Sequence, residues 1–405
     1  MTALDPALAP PARCAAPRRG ALAIHTAILV AFLAASSTPT PLYRLYQQAW
    51  GFSSTTLTII FAAYALALLC TLLLAGSLSD YIGRRPVIAL ALLLEMAAMT
   101  VFLLAGGPAW LIAARVVQGI ATGLAAAAVG AALLDLNRER GPLINSIAPM
   151  IGMAIGALGS TGVLVHAATP LRTSYLILLA VFAAALAALR LTPETAARRP
   201  GAWASLKPSM HVPRQARAAF WSVTPVNVSV WMLGGLYLSQ MPSLIAQTTH
   251  STSPWLGGLA VAALTLSGAV AVLAAQRAAA FSTLVGGAAA LTLGLLLILA
   301  GANTGSGMWL LGGSLVAGAG FGTAFLGAVR TVLPLAGPSQ RASLMATFYV
   351  ESYLAHSVPA IAAGYFAQRH GLLATANFYG VTVALLALAA IALALARSRG
   401  QRQTA

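Results

Sequence analysis

Charged residues are scarce in this chain of 405 residues. Lys, Arg, Asp and Glu together make up 7% of it, whereas hydrophobic residues make up 59%. A soluble protein typically carries about 25% charged residues, so a water-soluble fold is excluded. A surface that faces lipid needs few charges, and the composition therefore indicates a protein built into a membrane.

Cysteine and lysine are almost absent as well. Cys14 and Cys70 give neither a disulfide framework nor the spacing of a metal site, and Lys207 is the only lysine. We therefore expect no metal and no cofactor. The net charge of +16 would suggest nucleic acid in a soluble protein. Here the arginines stand singly or in pairs between apolar runs, which is typical of the positive-inside signal, and we expect no nucleic-acid partner.

Long apolar runs fill most of the chain. Runs of about 20 residues can cross a bilayer as helices. The sequence predicts an all-α polytopic membrane protein with twelve spans, at residues 21–38, 54–75, 87–105, 108–133, 144–166, 171–191, 219–245, 254–275, 280–301, 307–331, 342–366 and 372–396.

The arginines also predict the orientation. With the N-terminus inside, the outer loops hold Arg44, Arg172 and Arg369, Arg115 lies within a span, and the other 19 of the 23 basic residues fall on the inner side. Such a bias indicates that both termini are cytoplasmic. We expect a multi-pass protein of the cytoplasmic (inner) membrane.

A polar stretch separates the spans into two sets of six. Gly123-x6-Gly130 in span four recurs as Gly320-x6-Gly327 in span ten, which favours a duplicated structure. The predicted parts are a cytoplasmic tail (1–20), a first six-helix bundle (21–191), a cytoplasmic linker (192–218), a second six-helix bundle (219–396) and a second tail (397–405).

The loop between spans two and three reads Gly76-Ser-Leu-Ser-Asp80-Tyr-Ile-Gly83-Arg84-Arg85. It resembles the G-x-L-[AS]-D-x-x-G-R-[RK] loop of the major facilitator superfamily, which lies between the same two helices. The resemblance implies twelve helices in two pseudo-symmetric halves and the transport of a small solute. It also implies a charge latch at the cytoplasmic mouth, which breaks as the halves rock. Its members would be Gly76, Asp80, Gly83, Arg84, Arg85 and, as the acidic partner of Arg84, Asp135.

Span four contains Leu111-x3-Arg115-x2-Gln118-Gly119, which resembles the L-x3-R-x2-Q-G motif of the same superfamily. An arginine inside a span costs roughly 2.5–3.5 kcal/mol on insertion scales, so it needs a partner. Glu95 in span three lies at a similar depth, and we expect it to contact Arg115. The alternative is that Glu95 pairs elsewhere or sits protonated between helices.

Small residues recur in span five at Gly152, Gly156 and Gly159. Together with Gly119 they are predicted to let helices pack closely. The run also resembles part of the G-x3-G-P-x2-G-G motif of antiporters in the superfamily, with Ala157 in place of the proline and Ser160 in place of the last glycine. The resemblance implies export.

Glu351 lies about eight residues into span eleven. Removal from water favours the neutral form of a carboxyl group, so that a proton can bind and leave under physiological conditions. The proton-coupling candidates are therefore Glu351, Arg115 and Glu95. The alternative for Glu351 is a protonated side chain bonded to a neighbouring Ser or Tyr.

In the resembled fold, helices one, four, seven and ten line the substrate path. The substrate-cavity candidates there and beside it are Gln118, Asn227, Trp231, Tyr237, Gln240, Thr323 and Tyr353. Each could instead serve helix packing. A mostly apolar cavity with scattered polar groups suits an amphipathic compound better than a sugar.

No constellation of an intramembrane enzyme is visible, neither H-E-x-x-H nor H-x-x-x-D nor a Cys/His cluster. The chain also lacks a nucleotide-binding P-loop. We therefore predict a secondary active transporter, not an enzyme, that moves a small and partly apolar organic compound by proton-coupled efflux. Proton symport or facilitated uptake of a small organic solute is the alternative. The expected partners are this solute, protons and the lipid bilayer, and the expected state is a monomer.

Overall fold

The computed structural model describes residues 15–203, 206, 210–337 and 340–403. Cys14, Lys207 and most of the predicted first tail lie outside the described residues. Within them the chain forms α-helices and no strand. The helices are Ala15–Ser37 (α1), Pro39–Trp50 (α2), Ser54–Ala75 (α3), Ser79–Ile82 (α4), Arg84–Leu103 (α5), Pro108–Leu136 (α6), Gly141–His166 (α7), Pro170–Leu189 (α8), Arg214–Ser239 (α9), Met241–Thr249 (α10), Trp255–Ala274 (α11), Ala280–Thr304 (α12), Gly307–Val332 (α13), Arg341–His370 (α14) and Leu372–Gln403 (α15).

Ten helical stretches of the described chain are long and apolar enough to cross a membrane. The stretch Arg19–Trp50, which joins α1 and α2, is one of them. Two further long helices, α9 and α14, coincide with predicted spans seven and eleven and carry the polar residues Asn227 and Glu351. The all-helical membrane fold is thus confirmed. Twelve crossings and cytoplasmic termini stay predictions.

The helices pack around two hydrophobic clusters. One consists of buried residues between positions 28 and 189, and the other, apart from Ala157, of residues between 216 and 394. We call α1–α8 the N-terminal group and α9–α15 the C-terminal group. They meet where α3 packs on α14 and α7 on α11. The boundaries of the two bundles stay predictions.

Proline breaks a helix at corresponding places in the two groups. α1 ends at Ser37 and α2 starts with Pro39, while α9 ends at Ser239 and α10 has Pro242 in its first turn. Proline favours the first turn because its missing N–H is not needed there. The predicted span seven (219–245) thus contains the end of α9 and the start of α10.

The short helices behind the two breaks approach each other. The hydroxyl of Thr40 in α2 donates a hydrogen bond to the carbonyl oxygen of Leu238, 2.9 Å away at the end of α9. α2 also packs against α10. The two groups are therefore in contact at the ends that the topology predicts to be outer.

Two of the three α7 glycines that are predicted to serve packing allow a close helix contact. A Cβ atom at Gly152 or Gly156 would overlap the backbone of α1, and one at Gly119 would overlap α3. Gly159 differs, because nothing lies within 4 Å of the place of its Cβ. It lines a crevice of about 360 Å³ between α1, α7 and α8. The packing role predicted for Gly159 is therefore wrong.

Candidate functional site

The loop Gly76–Arg85 forms the charge contacts that its sequence predicts. Arg84 is ion-paired with Asp80, and its Nε lies 3.3 Å from Oδ2 of Asp135. Its Nη1 also donates to the Ser79 hydroxyl, 2.7 Å away. Gly83, with a φ of 101°, links α4 to α5 in a conformation that favours glycine. The role of these contacts as a conformational latch stays a prediction.

A carboxylate that was not among the predicted site residues completes the loop. Glu194 accepts hydrogen bonds from the backbone N–H of Arg84 at 2.8 Å and of Arg85 at 3.0 Å. These are the first residues of α5, where free N–H groups and the helix dipole favour an anion. A Cβ at Gly83 would lie 2.7 Å from Oε2 of Glu194. The sequence offers one signal that could have identified Glu194, because the chain has only seven acidic residues and each is therefore a candidate for a specific contact.

The beginning of the linker is tied to the same loop. The Thr195 hydroxyl donates to Oδ2 of Asp135 at 3.0 Å, and the N–H of Arg199 donates to the carbonyl oxygen of Tyr81 at 2.8 Å. Asp135 thus accepts from both the loop and the linker. These contacts join the loop, the end of α6 and the start of the linker at one end of the N-terminal group.

Arg115 lies in a sealed polar network of the N-terminal group. Its side chain is 1% exposed and donates to the Tyr43 hydroxyl, with Nη2 at 2.7 Å and Nε at 3.0 Å. Nη1 donates to the carbonyl oxygen of Ser36 at 2.9 Å and to Oε1 of Gln118 at 2.6 Å. The guanidinium also lies 5.1 Å from the ring centre of Tyr64. Neither Tyr43 nor Ser36 was predicted as a partner, and Tyr43 lies in α2, which was not predicted.

Glu95 belongs to this network without touching Arg115. Its Oε1 accepts a hydrogen bond from Nε2 of Gln118 at 3.0 Å, and its Oε2 has no hydrogen-bond partner among the described residues. The predicted contact between Arg115 and Glu95 is therefore wrong. Gln118, one turn after Arg115, stands between them and bonds both.

Glu351 lies in a different setting between α14 and α9. It is only partly buried, and its Oε2 accepts a hydrogen bond from Nδ2 of Asn227 at 2.8 Å. Asn227 also exchanges hydrogen bonds with the Ser352 hydroxyl, at 3.0 and 3.2 Å. The ion pairs of the described chain are those of Arg84, so Glu351 is held there by neutral groups alone.

Aromatic rings gather one turn along α9 from Asn227. The ring centre of Trp231 lies 4.9 Å from that of Tyr353, 5.5 Å from His356 and 5.9 Å from Phe325. Trp231 and Tyr353 are partly exposed. Tyr353 also packs against the cluster around Tyr64 of α3, so the rings lie where the two groups of helices meet.

The other cavity candidates do not join these rings. The Tyr237 hydroxyl is buried and hydrogen-bonds that of Ser314 at 2.7 Å. Thr323 donates to the carbonyl oxygen of Ala319 and faces Gly287 of α12. Gln118 is occupied by Arg115 and Glu95. Gln240 is buried at the break after α9, and neither atom of its amide has a hydrogen-bond partner in the described part of the chain.

Two groups of membrane-crossing helices with broken helices in corresponding places define the architecture of a secondary transporter. The family model described as Major Facilitator Superfamily matches residues 24–360. The chain belongs to this superfamily and is a transporter, not an enzyme, as the resemblance in the loop and in span four implies.

Solved structures of other transporters share the fold. A variant of the nucleoside transporter NupG is similar with a TM-score of 0.73 and 13% sequence identity, covering 92% of this chain and 99% of its own. The human organic anion transporter MFSD10 (TETRAN) is similar with a TM-score of 0.66 and 19% identity, covering 94% and 100%. No curated protein matches the sequence.

Proposed function

We propose that this transporter exports a small, partly apolar organic compound in exchange for protons, and that Glu351 binds the proton. The observation that carries the proposal is the setting of Glu351, a partly exposed carboxyl group in the long helix α14 with Asn227 as a neutral donor. The sequence predicts that α14 crosses the membrane. Ionisable groups in such places are rare and functional as a rule. Without a cation beside it, each proton that binds changes the net charge of the site.

The groups around Glu351 leave it as the one acid at this depth of the C-terminal group. α9 contributes Thr224 and Asn227, which do not titrate. The titratable side chains nearby are Tyr349, Tyr353 and His356 of α14, Tyr64 of α3 and Tyr379 of α15. His356 bonds the carbonyl oxygen of Trp231 at 3.0 Å, and Tyr379 donates to that of Met232 at 2.8 Å.

A proton that crosses the membrane releases about 2.3 kcal/mol per 100 mV of potential. One proton can therefore drive an uncharged solute roughly fiftyfold uphill at that potential, since about 1.4 kcal/mol corresponds to a factor of ten. No nucleotide is needed. A cytoplasmic membrane that maintains a proton gradient is the setting that this mechanism requires, and a monomer contains both groups of helices.

Glu95 and Arg115 are proposed as a structural tie in the N-terminal group. Both are buried, and Gln118 holds them together. A proton would have no partly exposed group through which to leave. We therefore assign coupling to Glu351, with Arg115 and Glu95 fixing α2, α5 and α6 relative to one another.

The Gly76–Arg85 loop and Asp135 are proposed to act as the conformational latch of the inner side. The contacts that support this role hold α3, α5, α6 and the linker together. A group of helices that is rigid at its cytoplasmic end can rock as a unit against the other group. Arg85 adds a hydrogen bond from Nη2 to the carbonyl oxygen of Arg190, at 3.4 Å.

The direction of transport rests on the partial antiporter motif in α7, which supports export. Proton-driven uptake of a small organic solute is the second candidate. Gly152 and Gly156 of the motif pack on α1, which either direction would use. The transported compound and the direction of its flux relative to the proton gradient have to be measured together.

The test is counterflow and pH-driven flux in proteoliposomes with a library of amphipathic compounds. A solute that leaves only against an inward proton gradient, and whose flux Glu351→Gln abolishes, supports the proposal. Glu139→Gln, the same change at an exposed loop position, is the matched control. Transport that is equally fast in Glu351→Gln and independent of pH would overturn it. Flux in the same direction as the proton would select uptake.

A further inference from the structure

We infer that the site around Glu351 and Trp231 binds an organic cation with a planar aromatic part. This inference rests on the proposed function, because it names the class of compound that would compete with the proton. It follows from three features of the C-terminal group. The first is a carboxyl group that forms no ion pair, and the second is a cluster of aromatic rings one turn away. The third is that no ion pair among the described residues places a cation beside it.

The carboxylate of Glu351 can form an ion pair with a ligand. Among the described residues no ion pair includes Glu351, and its partner Asn227 is neutral. Only one of its two oxygens accepts from Asn227. A positively charged ligand would therefore gain a charge-assisted hydrogen bond or ion pair without displacing a protein cation.

The rings supply the second half of the site. Asn227 and Trp231 are four residues apart on α9, so their side chains lie on the same face, about 6 Å apart along the axis. The ring centre of Trp231 lies 4.9 Å from that of Tyr353 and 5.9 Å from that of Phe325. Their electron-rich faces attract cations and stack on planar groups.

The indole of Trp231 has a free donor as well. Its Nε1 is buried and has no hydrogen-bond partner within the described residues. A buried donor without a partner costs free energy, and an acceptor on a bound compound would satisfy it. A heteroaromatic group beside the cation meets this requirement better than a plain hydrocarbon does.

An anion would find no partner at this site. The membrane-depth arginine, Arg115, is 1% exposed and already donates to Tyr43, Ser36 and Gln118. An anion beside Glu351 would also meet a like charge. The geometry thus selects against the class of solute for which the related human transporter MFSD10 is described.

The test uses two probes of the same shape and opposite charge. Tetraphenylphosphonium and tetraphenylborate are dialysed to equilibrium against the full chain in nanodiscs, and binding to empty nanodiscs of the same lipid is subtracted. We expect the phosphonium to bind at least tenfold more tightly than the borate. Equal or tighter binding of the borate would overturn the inference, and this comparison needs no variant that has to fold.

Two pairs of variants locate the binding. Glu351→Gln should weaken the phosphonium at least tenfold and should not weaken the borate, whose repulsion by the carboxylate it removes, whereas Glu139→Gln in an exposed loop should change neither. Trp231→Ala should weaken the phosphonium about tenfold, whereas Trp221→Ala should not, because Trp221 is 66% exposed on the same helix. Phosphonium binding that Glu351→Gln leaves intact would also overturn the inference.

The outcome can be separated from that of the proposed function. If the phosphonium does not bind but Glu351→Gln still abolishes proton exchange driven by another solute, the cation class is wrong and the proton site stands. If the phosphonium binds through Glu351 but no proton is released on binding or moved in vesicles, the cation site stands and proton coupling is wrong.

Discussion

The N-terminal and C-terminal groups each contain a carboxyl group at membrane depth, Glu95 and Glu351. Glu95 is fully buried and reaches Arg115 only through Gln118, whereas Glu351 is partly exposed and bonded to the neutral Asn227. The duplicated fold thus contains one sealed and one open acid. Under the proposed function, the charged groups of the N-terminal group tie its helices together, whereas the carboxyl group of Glu351 binds the proton.

The largest expected effect comes from removing the centre of the sealed network. Arg115→Ala leaves the Tyr43 hydroxyl, the Gln118 amide oxygen and the Ser36 carbonyl without their arginine partner, and each buried polar group that loses its partner costs about 1–3 kcal/mol. We expect a large fall in the unfolding temperature of the purified protein in detergent. Arg44→Ala, at an exposed position, is the control. Equal unfolding temperatures for the two variants would contradict the sealed network.

The open acid should affect transport instead of stability. In Glu351→Gln the amide can keep a hydrogen bond with Asn227 but cannot release a proton, so proton movement should fall on the order of 100-fold. The unfolding temperature should stay within a few degrees. Glu351→Asp should retain part of the flux and its dependence on pH. A flux in Glu351→Gln that still follows pH would place the coupling elsewhere.

The same carboxyl-to-amide change in the sealed network is expected to be mild. Glu95→Gln keeps an oxygen that can accept from Gln118, and the new N–H₂ group replaces an oxygen that has no described partner. We expect a change in stability below about 1 kcal/mol and transport within about threefold of the unmodified protein. Loss of proton coupling in this variant, with normal folding, would reverse the roles of the two groups.

The smallest effect is expected where the linker meets the first group. Glu194→Gln removes a negative charge from the N-terminus of α5, which is worth about 0.3–1 kcal/mol at an exposed site. The loss should shrink in high salt, because exposed charges are screened. Thermal unfolding at low and high ionic strength measures both values. Glu139→Gln again serves as the control. Identical unfolding curves for the two variants would contradict a stabilising contact between Glu194 and the loop.

Much of the fold could be predicted because charge is so rare in this chain. The chain has seven acidic residues in total, and Asp135 at the end of a span was paired with Arg84 because the loop resembles that of the superfamily. The long helical stretches followed from apolar runs alone. α2 was missed because Pro39 and Pro41 end the first apolar run, although proline is well placed in the first turn of a new helix.

The site was less predictable because hydrogen-bond partners depend on the direction of side chains. Depth along two helices placed Arg115 and Glu95 at one level, but it could not reveal that Gln118 fills the space between them. Glu194 caps a helix that starts 110 residues earlier in the chain, and no local pattern indicates such a contact. The pairing of Glu351 with Asn227 likewise depends on how α9 and α14 cross.

The two helix breaks are each followed by a short helix, α2 and α10. α2 has 12 residues and α10 has 9, which correspond to lengths of about 18 Å and 14 Å at 1.5 Å per residue. A turn of about 10° at Pro39 would move the far end of α2 by about 3 Å, the size of a water molecule. Bending at the two breaks would move α2 away from α10, and the hydrogen bond between Thr40 and Leu238 would then part.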